Sequence, residues 1–216
     1  MNALEIQLIW EELCNRFSLS EHVVESTWSV LANHYQEEGR YYHDFSHISS
    51  LLSLSGEFRN NVVNKDVVDL AIFFHDVIYD PKSKTNEEDS AELFKEVLGN
   101  YIDSSIVERV VHYIIETKRH DVADCGDTDL QFFMDFDMSI LGSSMESYIS
   151  YCQAIRKEYS FYPDEAYRIG RAAFLRTTIN ENKQVFSTKE FRERYEATAK
   201  SNILWECAQL ESGNLI

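Results

Sequence analysis

The sequence predicts an all-helical protein, with one domain over residues 1–216. Only seven glycines and two prolines occur in the chain, and apolar side chains recur at helical spacing along most of it. Few turn-forming residues favour long helices joined by short loops over a β fold, which needs many turns. A hydrophobic content of 44% is sufficient for one substantial core.

Apolar periodicity and capping residues predict the helices in order. The first helix places Ile6, Trp10 and Leu13 on one face. Ser20, Asp66 and Asn86 are predicted to cap the second helix, the helix VVDLAIFFHDVIY (67–79) and the helix that ends at Gly99, respectively. Further helices are predicted over 103–118, 130–141, 144–160, 164–180 and 188–210.

The charge of the chain restricts its partners and its location. A formal net charge of −17 repels phosphate backbones and anionic lipids, so we expect neither a nucleic-acid polymer nor a membrane as partner. A small anionic substrate is compatible, because a bound metal can invert the local field. The four cysteines are scattered, and the first residues lack the pattern of a signal peptide. The cytoplasm is therefore the expected location.

Two sequence elements contain histidines that could bind a metal. His43 and His47 are four residues apart, which places both on one helix face, although two surface histidines also occur by chance. His75 and Asp76 lie within an apolar run. A single histidine on an apolar face is more often a core residue than a ligand. The adjacent aspartate is more informative, because a buried carboxylate must be paired or bind a cation.

The third element is FFMDFDMSIL, which contains two aspartates. At helical spacing Asp137 falls in the middle of an apolar stripe, whereas Asp135 lies off it with Gln131 and Ser139. A buried Asp137 needs a counter-ion, and a metal fits this requirement. The alternative is an aspartate that caps a neighbouring helix or pairs with a distant arginine. Two imidazoles and two carboxylates together suit a divalent transition metal better than calcium.

This order, H…HD…D with each element on a helix, resembles the HD superfamily of metal-dependent phosphohydrolases. The text YHDFSHI is similar to the Y-H-N-x-x-H stretch of cyclic nucleotide phosphodiesterases. The resemblance is closer to a bacterial subfamily of predicted metal-dependent HD phosphohydrolases, and it implies a single HD-type helical bundle over nearly the whole chain. The motifs that carry it are RYYHDFSH, AIFFHDVIYDP, NEEDSA, ETKRH, MDFDMSILG, IRKEY, GR and AKSNILWE.

The resemblance implies roles for the residues of these motifs. The implied metal ligands are His47, His75, Asp76 and Asp137, holding one or two divalent ions of Mn, Fe, Co, Ni, Mg or Zn. Water on such a metal loses a proton more readily and can attack phosphorus. His43 would protonate the departing oxygen. His120, or else His112 or Glu116, could complete a second metal site, although His120 could equally be a solvated loop residue.

Other residues are weaker candidates. Asp80 lies where the guanosine tetraphosphate hydrolases, also HD proteins, carry an acidic catalytic residue. Glu87, in the motif NEEDSA, could orient water or substrate, and Asn86 is a candidate for substrate binding. An ordinary helix start explains Asn86 and Glu87 without a function. Arginine binds phosphate through two parallel hydrogen bonds, so basic residues near the motifs are candidate substrate ligands. For most of them, salt bridging on an acidic surface is the more frequent explanation. The candidates are Arg40, Arg156, Arg168 and Arg171.

The function expected from the sequence is metal-dependent hydrolysis of a phosphoester or phosphoanhydride bond in a small, nucleotide-like metabolite. Two alternatives keep the fold and the metal. One is an HD-type di-iron oxygenase, which needs additional histidine ligands. The other is a non-catalytic, metal-stabilised module that binds a ligand. The expected partner is a small phosphorylated substrate, and association as a homodimer is a second expectation.

Overall fold

The computed structural model describes residues 1–119, 122, 125–179 and 184–216. Within these residues the chain forms α-helices and one short 3-10 helix (Ser139–Gly142), and no strand, which confirms the all-helical prediction. None of the helices in these ranges is both long and apolar enough to cross a membrane. The α-helices are α1 (Ala3–Arg16), α2 (Glu21–Tyr35), α3 (Phe45–Glu57), α4 (Lys65–Phe74), α5 (Asn86–Leu98), α6 (Ser104–Glu116), α7 (Thr128–Met138), α8 (Met145–Glu158), α9 (Asp164–Thr178) and α10 (Lys189–Glu211).

The chain divides into two compact units. The first contains Met1–Val122 and Asp127–Phe133, and the second consists mainly of Met134–Ile216. Helix α7 begins in the first unit and continues into the second. Nothing in this division tests the single domain expected over 1–216, which stays a prediction.

Helix α4 is the centre of the first unit. Every residue from Val67 to Phe74 is buried, and the helix packs against α3, α5 and α6. The indole of Trp10 on α1 meets the rings of Phe73 and Phe74 edge-on, at centroid distances of 5.1 and 6.0 Å. A helix enclosed on all sides cannot shift without disturbing the core, so the residues at its end are held in fixed positions.

The helix ends differ most informatively from the sequence predictions at α4 and at the start of α5. Asn64, not Asp66, is the N-cap of α4, and Asp66 instead forms a 2.7 Å ion pair with Arg16. The helix ends at Phe74 with His75 as its C-cap, five residues before the predicted end at 79. Thr85, not Asn86, precedes α5. The predicted cap at Ser20 and the predicted end at Gly99 are confirmed.

Asp129, on the first turn of α7, fixes the loop that leads into α4. Its carboxylate accepts hydrogen bonds from the backbone N–H groups of Val63 (2.7 Å) and Asn64 (2.8 Å), and Arg109 lies at 3.4 Å. Asp129 is 3% exposed. A buried carboxylate without hydrogen-bond donors destabilises the fold, and buried N–H groups without an acceptor do the same. Loss of either partner should therefore lower the free energy of unfolding.

In the second unit, α10 packs on α9 and on the 3-10 helix. The buried guanidinium of Arg171 donates to the Glu206 carboxylate (2.8 Å), which also accepts a hydrogen bond from the Tyr148 hydroxyl (2.5 Å). Asn202 donates to two carbonyl groups at the end of the 3-10 helix, those of Leu141 and Ser143. The motifs GR and AKSNILWE thus supply the polar contacts between these helices.

We predict that Asp129→Asn lowers the free energy of unfolding by about 2 kcal/mol, because an amide cannot accept from two backbone N–H groups through two oxygens. Urea denaturation followed by circular dichroism measures this loss. Asp66→Asn is the control: its partly exposed ion pair with Arg16 should contribute less than about 1 kcal/mol. Equal losses in the two variants would contradict the role given to Asp129.

Candidate metal centre

His75 occupies the C-cap of α4 and is 1% exposed. Its Nδ1 atom lies 2.9 Å from the carbonyl oxygen of Ile72. Because a carbonyl oxygen can only accept, Nδ1 carries the hydrogen of this bond. In the neutral ring the lone pair is then on Nε2, which is the arrangement usual for a histidine that binds a metal.

His47 and Asp76 bring their donor atoms to the same point. His47 lies in the first turn of α3, and its Nε2 atom is 3.2 Å from Nε2 of His75. Asp76 follows the end of α4, and its Oδ2 atom is 3.0 Å from Nε2 of His75 and 3.6 Å from Nε2 of His47. Two imidazole nitrogens and one carboxylate oxygen from the first unit therefore converge.

The histidines control the ionisation of Asp76. Burial alone would raise the pKa of this carboxyl group. The neighbouring His75, together with His43 and His47, more than reverses the effect and holds the pKa of Asp76 well below its ordinary value. Asp76 is thus a carboxylate at neutral pH, the form in which it can bind a cation.

The convergence fits a transition-metal site. Nitrogen and oxygen atoms bound to one such ion at roughly 2.1 Å lie about 3.0 to 3.4 Å from one another, close to the separations found here. Asp137, near the end of α7, extends the set: one ligand atom each from His47, His75 and Asp137 lie within 4.8 Å of one another. These three residues form a group that could hold a metal ion.

The two aspartates of FFMDFDMSIL differ in burial. Asp135 is 1% exposed, and its carboxylate accepts from the backbone N–H groups of Ser187 and Thr188, both at 2.7 Å, at the start of α10. Burial raises its pKa to about 6, against the opposing effect of these hydrogen bonds. Asp137 is only half-buried. The expectation that Asp137 lies on the more buried face is wrong, since Asp135 is the more buried of the two.

His43 lies beside the convergent atoms. Its ring stacks on Tyr79 with a centroid distance of 4.1 Å, and the ring of Tyr42 meets it edge-on at 5.0 Å. The rings of His43 and His47 are 5.9 Å apart. Two tyrosines thus fix the orientation of an imidazole next to the candidate ligands, which is a requirement for a group that transfers a proton.

The remaining candidates of the first unit already have contacts within the protein. The Asn86 side chain donates to the carbonyl of Asp80 and accepts from its N–H, which closes the loop before α5. The Glu87 carboxylate lies 3.7 Å from Nζ of Lys118. The guanidinium of Arg40 is buried and hydrogen-bonds to carbonyl groups. The catalytic and substrate-binding roles of these residues stay predictions.

The other three arginines lie in the second unit and contact residues of that unit. Arg156 pairs with Asp164 (2.7 Å), Arg168 donates to the carbonyl of Leu210, and Arg171 pairs with Glu206. The contacts of Arg156 and Arg171 are salt bridges, and the role of all three arginines in substrate binding stays a prediction. His120, the candidate for a second metal site, lies outside the described residues.

Sequence reasoning missed two features around His43. It assigned no role to Tyr42, whose ring contacts both His43 and His47, and it treated Arg40 only as a ligand for substrate. The signal was present, because both residues belong to the RYYHDFSH motif. Their partners are carbonyl groups and rings that only the folded chain brings together.

Comparisons of the chain with family models, with curated proteins and with solved structures gave no match. The resemblance to the HD superfamily therefore stays an interpretation of motifs. The function has to be argued from the donor atoms themselves.

We predict that Asp137→Asn weakens metal binding, whereas Asp135→Asn lowers stability. Asp137→Asn should weaken the binding of a divalent metal by about tenfold or more, since even groups that only orient a ligand contribute about 10–100-fold. Asp135→Asn should retain metal affinity but lower the free energy of unfolding by about 2 kcal/mol, because backbone donors lose their acceptor. Calorimetric metal titration and urea denaturation of both variants test this. Weaker metal binding in Asp135→Asn alone would exclude Asp137 as a ligand.

Proposed function

We propose that this protein is a metal-dependent phosphohydrolase of the HD type, which cleaves a phosphoester or phosphoanhydride bond in a small, nucleotide-like metabolite. The observation that supports the proposal is the convergence of the Nε2 atoms of His47 and His75 with the Asp76 carboxylate. It occurs at residues that the HD resemblance marks as ligands, with His43 next to them.

The residues divide into those that hold an ion and those that handle protons. His47, His75, Asp76 and Asp137 would hold the ion. When bound, a divalent ion supplies a Lewis acid that polarises a phosphoryl oxygen and lowers the pKa of water towards neutrality. His43, held between Tyr42 and Tyr79, would give a proton to the departing oxygen of the substrate.

The charge of the chain supports a small substrate. With 37 acidic and 20 basic residues, the protein repels an extended polyanion. One or two phosphate groups next to a divalent ion avoid most of this repulsion, because the ion neutralises charge locally.

A panel of phosphorylated metabolites, assayed with Mn²⁺, Mg²⁺, Co²⁺, Ni²⁺ and Fe²⁺ in turn, tests the proposal. Metal-dependent release of phosphate from at least one class of nucleotide is the expected result. Metal binding without turnover on the whole panel would instead favour a binding module. Two irons per chain with a mixed-valence spectrum would favour an oxygenase.

We predict that His75→Ala and Asp76→Ala each lose the metal and the hydrolytic activity while helix content is retained. Each variant removes one of the four proposed ligands, and loss of a ligand should weaken metal binding by more than the roughly 10–100-fold that groups orienting a ligand contribute. Metal analysis of the purified proteins and circular dichroism provide the measurements. His22→Ala, which replaces an exposed histidine on α2, is the control and should match wild type. Wild-type metal content in Asp76→Ala would refute this assignment.

We predict that His43→Ala retains its metal but loses activity by about 10²–10⁴-fold on substrates with poor leaving groups, the usual contribution of a general acid. With a p-nitrophenyl leaving group, which needs little protonation, the loss should be much smaller. Steady-state rates on the two substrates, with metal content measured on the same sample, make the comparison. Equal losses on both substrates with metal retained would exclude the general-acid role.

A further inference from the structure

Arg40, in the loop between α2 and α3, has an unusual set of partners for a charged side chain. The side chain is only 2% exposed. Nη1 donates to the carbonyl oxygens of His43 (3.0 Å) and Asp76 (2.7 Å), and Nη2 donates to the carbonyl oxygen of Val77 (2.7 Å). Nε and Nη2 also reach the carboxylate of Glu37, at 3.4 and 3.3 Å. Since a guanidinium has five N–H donors, these contacts account for its hydrogen-bonding capacity.

The acceptors belong to the two segments that form the candidate site. One segment carries His43 and the other carries Asp76, and the bond from Arg40 to Asp76 spans 36 residues of sequence. Both carbonyl groups hydrogen-bond to the same nitrogen, Nη1. The backbone at the proposed proton donor and the backbone at the proposed metal ligand are therefore fixed relative to each other by a single atom.

The end of α4 explains why a cation is needed at this point. The helix stops at Phe74, so the carbonyl groups of Asp76 and Val77 lie beyond the helical hydrogen-bond ladder. A positive charge is favourable at a helix C-terminus.

The shape of the site explains why the cation is an arginine. The rings of Tyr35 and Tyr79 lie near the guanidinium, at 5.2 and 5.6 Å from its central carbon. A planar guanidinium packs well beside aromatic rings and presents its donors in a fixed fork, whereas lysine presents its donors from a single nitrogen.

We infer that Arg40 is a positioning residue, which holds the Asp76 segment against the His43 segment so that both side chains are placed for one metal site. This inference rests on the proposed function. It differs from the expectation that Arg40 binds substrate, and it is favoured by N–H groups that are engaged with the protein itself. Metal affinity should then depend on a side chain that is not a ligand.

Titration with Co²⁺ tests the inference without any substrate. Groups that orient metal ligands typically contribute about 10–100-fold to metal affinity, so Arg40→Lys and Arg40→Ala should bind Co²⁺ about 10–100-fold more weakly than wild type. The visible absorption of any bound Co²⁺ should change as well. The matched control is Arg109→Lys, since Arg109 also lies over a tyrosine ring and pairs with carboxylates, and its contacts among the described residues, with Tyr113, Asp127 and Asp129, lie outside the site. It should bind Co²⁺ as wild type does.

Chemical rescue separates positioning from a general loss of stability. Ethylguanidinium added to Arg40→Ala should restore Co²⁺ affinity, because it can take the place of the lost guanidinium beside Tyr35 and Tyr79, whereas ethylammonium should not. Wild-type affinity and spectrum in both Arg40 variants would overturn the inference. Rescue by neither cation, or failure of both variants to fold by circular dichroism, would also overturn it, since Arg40 would then serve stability alone.

Failure of the proposed function has a different signature. If wild-type protein binds no Co²⁺, the metal site itself is refuted. Histidine ring resonances of the metal-free protein then test the positioning role directly. Displaced signals of His43 and His75 in Arg40→Lys, with those of Arg109→Lys unchanged, would support it. Identical ring spectra in wild type and Arg40→Lys would overturn it.

Discussion

A carboxylate removed from water must be met by N–H donors or by positive charge, and this demand organises much of the structure. Asp129 and Asp135 are met by backbone N–H groups at the starts of other helices. Asp76, whose side chain is 21% exposed, instead lies against the imidazoles of His75 and His47. Backbone donors satisfy a carboxylate permanently, whereas imidazoles are themselves metal ligands. The kind of partner thus separates the structural aspartates from the candidate functional one.

The sequence predicted the helices well because apolar periodicity is a local signal, and the caps at Ser20 and Gly99 were found for the same reason. It failed at the end of α4. The text HDVIY contains no glycine or proline, so nothing local marks the stop at Phe74. The carbonyl groups that leave the helix there are instead bound by Arg40, from a different part of the chain. A helix end determined by a distant side chain cannot be derived from local pattern.

The residue types of the candidate site were predictable from the sequence, but the burial of its aspartates was not. Motif order identified His47, His75 and Asp137, which the fold brings within 4.8 Å of one another. The argument that favoured Asp137 over Asp135 assumed that an aspartate on an apolar face needs an ion. Asp135 shows the limit of that argument, since backbone N–H groups about 50 residues away satisfy it. Which of the two aspartates meets backbone amides depends on long-range packing.

The positions of the buried arginines bear on how the charge of a bound phosphate would be balanced. Acidic residues outnumber basic ones by 37 to 20, and two of the arginines, Arg40 and Arg171, direct nearly buried guanidinium groups at the protein's own carbonyl groups and carboxylates. Charge used in this way stabilises the fold but is not available to an anionic ligand. Under the proposed function, the charge of a phosphate group must then be balanced chiefly by the ion and by a protonated His43. Residues that position the ligands of the ion would thereby also determine how well the substrate binds, without touching it.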